Sequence, residues 1–89
     1  MVDLFQVHYF VTFLNNSYPT LKLTVRYDFS TFILYIQIEL KEYYKEAYYK
    51  NVEYYSGQFL TSDTKECISH IDDIFTAYLA YLSHMRIKL

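Results

Sequence analysis

The sequence predicts an α+β fold, a three-stranded antiparallel meander followed by two helices (β-β-β-α-α) with a long C-terminal helix laid across the sheet. Three observations carry this. From Ile68, apolar residues fall at Ile68, Ile71, Phe75, Tyr78, Leu82, Met85 and Leu89, steps of three and four that only an α-helix gathers on one face. Residues 21–27 and 32–40 alternate apolar and polar, as half-buried strands do. Asp63-Thr64-Lys65-Glu66 has the spacing of a capping box just ahead of the helical pattern.

In chain order, Phe5, Val7, Tyr9, Val11 and Phe13 alternate with Gln6, His8 and Thr12, which predicts a first strand over residues 4–14. The aromatic and β-branched content agrees. Asn15 to Pro19 reads as a turn, because Asn and Ser bond their own backbone and Pro19 cannot donate to a ladder. In the second strand Leu21, Leu23, Val25 and Tyr27 face one way, and Lys22, Thr24 and Arg26 the other. Asp28 to Ser30 connects it to a third strand, with Phe32, Leu34, Ile36, Ile38 and Leu40 on the dry side. Such a meander needs a cover over its apolar face.

Residues 41–56 favour a helix. Leu40, Tyr43, Tyr44, Ala47, Tyr48, Val52, Tyr54 and Tyr55 occupy about half the surface, Glu42, Glu46 and Glu53 gather opposite, and Gly57 stands where a left-handed cap is expected. A strand over 48–59 competes, since Tyr favours strands. Residues 58–62 then form a loop, and the last helix starts near residue 64. Ile74, Leu79, Tyr81 and Cys67 widen its apolar face to roughly 160°, the breadth that a sheet or a bundle buries.

Eighty-nine residues allow a single domain spanning 1–89. With 53% hydrophobic and 21% aromatic residues the chain should fold. The net charge of −2 disfavours direct nucleic-acid binding. The single Cys67 excludes an internal disulfide and reads as a small core residue. Met1-Val2-Asp3 lacks the basic region of a signal peptide, and no apolar run is long enough to span a bilayer, so a cytoplasmic protein without membrane contact is expected.

No catalytic or metal-binding motif stands out, and no enzyme activity or cofactor is expected. His70 and His84 are roughly 21 Å apart by helical rise and cannot share a metal. His70 and Asp73 form an i, i+3 pair without a nucleophile or third ligand. The lone Gly57 precludes a glycine-rich phosphate loop.

The feature with functional content is the set of six tyrosines at 43, 44, 48, 49, 54 and 55. One helix cannot bury six rings, and tyrosine gives large contact area at little entropic cost. Tyr44, Tyr48 and Tyr55 suit the core, which leaves Tyr43, Tyr49 and Tyr54 beside Glu42, Glu46 and Glu53 as a partner-binding surface. The expected function is a non-enzymatic protein-binding module whose glutamates steer a partner with a basic groove. Small size, acidity and the residue usage of AT-rich codons suggest a phage or mobile-element inhibitor of a host nucleic-acid-handling protein, acting in the host cytoplasm.

Two alternatives carry weight. One is a structural homo-oligomer assembled through the C-terminal helix or the outer sheet face. The other is a single-stranded nucleic-acid binder in which Tyr35, Phe10, Arg26 and Lys22, with His8, Thr24 and Ile33 nearby, form a stacking platform.

Overall fold

The computed structural model describes residues 1–41 and 55–85. The order of elements is helix α1 (Leu4–Ser17), strands β1 (Leu21–Asp28), β2 (Ile33–Leu40) and β3 (Tyr55–Leu60), and helix α2 (Thr64–His84). The three strands form an antiparallel sheet in the order β1-β2-β3. The meander and the C-terminal helix are as expected, but the architecture is α-β-β-β-α.

Residues 4–14 are therefore not a strand. Asp3 caps the helix, its Oδ1 accepting from the amides of Phe5 at 3.0 Å and Gln6 at 3.4 Å. Val7, Val11 and Leu14, spaced four and three apart, are the residues the helix buries. Helix wins because tertiary burial of that stripe outweighs the modest helix propensity of a β-branched and aromatic segment. The helix also takes in Asn15 to Ser17, which the sequence reading put in a turn. It ends where the Tyr18 amide donates to the Leu14 carbonyl at 3.0 Å, just before Pro19.

Strands β1 and β2 pair with Leu21 opposite Leu40, Leu23 opposite Ile38 and Val25 opposite Ile36, so that one face is apolar throughout. A second correction concerns β3. Residues 42–54 of the helix expected over 41–56 lie outside the described residues, but Tyr55 and Ser56 are not helical and Gln58 to Leu60 are not a loop: as the competing strand over 48–59 allows, this segment pairs with β2, Tyr55 opposite Ile38, Gly57 opposite Ile36 and Phe59 opposite Leu34. Gly57 is no helix cap. A Cβ there would lie 2.7 Å from Phe59 Cε2 and 3.3 Å from Ile74 Cδ1, so its bare backbone makes room for a ring and for α2.

Both helices cover the apolar face, α1 beside β1 and α2 over β2 and β3. α2 buries Cys67, Ile71, Phe75, Tyr78 and Leu82, close to the face read from the sequence. Its cap differs in detail from a capping box. Asp63 Oδ1 accepts from the Lys65 amide at 3.2 Å, while Glu66 accepts from the Thr61 hydroxyl at 2.8 Å instead of reaching back to Asp63. Buried Thr61 also accepts on its carbonyl from the Tyr27 hydroxyl at 2.6 Å, tying β1 to the start of α2.

Candidate functional site

Helix α1 carries more apolar side chains than its buried stripe can use. Phe5, Tyr9 and Phe13, at i, i+4 and i+8, point away from the core and are 83%, 75% and 58% exposed. With Leu4, His8 and Thr12, Phe5 and Tyr9 border a shallow concavity of about 500 Å³. The other exposed residues of this helix are Gln6, His8, Thr12, Asn16 and Ser17, with no Asp, Glu, Lys or Arg among them. A wet, uncharged ladder of three rings adds nothing to folding, since exposed aromatic surface is not removed from water. The three rings form one exposed aromatic patch on the helix.

A second apolar patch sits at the tip of the β1–β2 hairpin. Met1, Val2, Tyr27, Phe29, Phe32 and Ser62 line a concavity of about 410 Å³. The Tyr27 and Phe29 rings meet edge to face at 4.9 Å. Phe32 adopts φ 59°, the left-handed region that bulky residues avoid, and half its surface is open. Asp28 Oδ1 accepts from the Ser30 amide and hydroxyl, and these bonds hold the Asp28 carboxyl below its ordinary pKa.

The solvent-facing side of the sheet is polar. Thr24, Arg26, Tyr35, Gln37, Ser56 and Gln58 border a depression of about 580 Å³ around Gly57. The Arg26 guanidinium lies 4.1 Å from the Tyr35 ring centroid. Of the residues considered as a base-stacking platform, Lys22, Thr24, Arg26, Ile33 and Tyr35 share this face, whereas His8 and Phe10 belong to α1 and stand elsewhere. The platform is thus reduced to one ring, and a guanidinium already covers it.

The six residues singled out in the sequence, Tyr43, Tyr49, Tyr54, Glu42, Glu46 and Glu53, lie outside the described residues. Tyr55, beside them in sequence, is half-buried and packs on Tyr78 and Tyr81 at 5.2 and 5.3 Å. His70 stacks on Phe59 with ring centroids 4.1 Å apart. Among the described residues no group of three His, Cys, Asp or Glu side chains could hold a metal ion, and no helix is long and apolar enough to cross a membrane. Cys67 is buried, which pushes its thiol above the ordinary value. The apolar face of α2 that was a candidate oligomer seam is spent on the chain's own core.

Phe5, Tyr9 and Phe13 were missed because the strand reading placed them with Val7 and Val11 on one dry face. Their four-residue spacing was the available signal. Compared with protein-family models, curated proteins and solved structures, the chain matches none.

Proposed function

We propose that this chain is a non-enzymatic protein-binding module that uses the aromatic ladder of α1 as its principal contact. The observation that carries the reading is the exposure of Phe5, Tyr9 and Phe13 on one helix face. At their observed exposures the three rings offer roughly 300 to 500 Å², taking 150–250 Å² for a whole aromatic side chain. That is about half of what one partner contributes to a stable interface. Rings at i, i+4 and i+8 are the anchors of helix-in-groove recognition, and a few aromatic anchors dominate such binding.

Because the exposed face of α1 carries no Asp, Glu, Lys or Arg, the complementary groove is apolar, and binding through α1 depends little on salt. Tyr43, Tyr49 and Tyr54, with Glu42, Glu46 and Glu53, supply a second, acidic contribution that steers a basic surface on the same partner and adds salt dependence to the association rate. The test is a photo-crosslinking phenylalanine analogue in place of Tyr9, with the same analogue in place of Lys22 as control. Crosslinks to one partner protein from Tyr9 and none from Lys22 support the reading. Equal crosslinking from the two positions contradicts it.

A further inference from the structure

The two edges of the sheet are treated differently. At the outer edge of β1 the Leu21 amide donates to the Tyr18 carbonyl at 3.0 Å, and Asn15 of α1 closes the next position from both sides. Its Oδ1 accepts from the Leu23 amide at 2.9 Å, and its Nδ2 donates to the Leu23 carbonyl at 3.1 Å. A side chain thus blocks further strand pairing there.

Among the described residues the edge of β3 has no such cover. Leu23 turns its peptide groups outward, which fixes the alternation across the ladder, so Tyr55, Gly57 and Phe59 bond to β2 while Ser56, Gln58 and Leu60 present their amides and carbonyls outward. None of these six groups has a partner among the described residues. Residues 55–60 carry no charge and no proline, the usual devices that keep an open edge from pairing.

We infer that β3 pairs antiparallel with β3 of a second copy, Gln58 opposite Gln58, to make one continuous six-stranded sheet. In this register all three outward residues of each copy exchange hydrogen bonds, Ser56 with Leu60 and Gln58 with its own mate, so six amides meet six carbonyls. A shift by two residues leaves one residue of each edge unpaired. An uncharged strand meets its own copy without like-charge repulsion.

Helix α2 is compatible with the same two-fold axis. His70, Ile74 and Tyr81 lie on its β3 side, over Phe59, Gly57 and Tyr55, and the exposed Ala77 shares that flank, small where a second α2 would pass. In this assembly α1, at the β1 side, stays free, and the dimer displays two aromatic ladders.

Sedimentation of the full chain tests this. The parent should sediment at twice the mass of one chain at micromolar concentration. Gln58→Lys, which puts like charges opposite each other at an exposed position, should restore the single-chain mass while still unfolding cooperatively, its melting temperature no longer rising with protein concentration. Gln58→Cys should give a disulfide-linked dimer on a non-reducing gel, since Cα atoms of a hydrogen-bonded antiparallel pair are about 5.5 Å apart, while Lys22→Cys should not. A parent that stays monomeric, a Gln58→Lys variant that stays dimeric, or a Gln58→Cys variant that fails to crosslink overturns the proposal.

Discussion

Tyr78→Phe is expected to stabilise this protein. Tyr78 is fully buried at the centre of α2, its ring against Tyr55 and Tyr81, and its hydroxyl has no hydrogen-bond partner among the described residues. Burial pushes the phenol up to about 12, and the Leu40 backbone, which favours the phenolate, offsets only part of this without reaching hydrogen-bonding geometry. A buried hydroxyl left unbonded costs about 1–3 kcal/mol. Removing the oxygen while keeping the ring should therefore return about 1 kcal/mol at pH 7, seen as a rise of roughly 4–8 °C in the melting temperature of a domain this size.

The pH dependence of Tyr78→Phe gives an independent check. The fold favours the neutral phenol, so the folded pKa lies above the unfolded value. Its contribution is fully present below pH 10 and is lost as pH climbs from 10 toward 12. The loss is at most about 3 kcal/mol at about 1.4 kcal/mol per pH unit, and on the order of 1 to 2 kcal/mol after solvent screening. Tyr78→Phe lacks this loss. Urea denaturation at pH 7 and pH 11 should show the stability gap between variant and parent widening. A variant less stable than the parent at pH 7, or a gap that does not grow with pH, would refute the reasoning.

Asn15→Ala should cost about 1–3 kcal/mol in thermal or urea denaturation, because the Leu23 amide and carbonyl lose both bonds in a half-buried place. Gly57→Ala should destabilise by about 1–2 kcal/mol, since the new methyl meets a Phe59 ring already held against His70. Combining it with Phe59→Leu should recover part of that loss in a double-mutant cycle. At the hairpin tip, Phe32→Gly should stay within about 0.5 kcal/mol of the parent, relief at φ 59° offsetting a half-exposed ring, while Phe32→Val should lose about 1–2 kcal/mol.

Helix α2 and strands β1 and β2 were legible because each shows one period only. Ile71, Phe75, Tyr78 and Leu82 step by three and four against a polar back, and Leu34, Ile36, Ile38 and Leu40 step by two. Helix α1 satisfies both periods. Its buried stripe, Val7, Val11 and Leu14, is interleaved with the exposed Phe5, Tyr9 and Phe13, and at odd positions the two sets together mimic a strand. Length was the neglected signal, since eleven residues without a turn exceed a usual strand, and Asp3 was an unused cap. Strand β3 was hidden for the opposite reason. Gly57 interrupts its apolar alternation, and only the fold shows that the Phe59 ring fills the gap.

The surplus of aromatic side chains over core volume, inferred from composition, does appear on the surface, though on α1 and at the hairpin tip. The one described tyrosine of the six, Tyr55, packs against the core as expected.

The claim that α1 is a recognition surface is tested most directly by Phe5→Ser, Tyr9→Ser and Phe13→Ser combined, with partner binding and thermal unfolding measured on the same preparation. The account expects a melting temperature within a few degrees of the parent and binding weakened at least a hundredfold. Unfolding of the triple variant, or undiminished binding by a folded one, would contradict it.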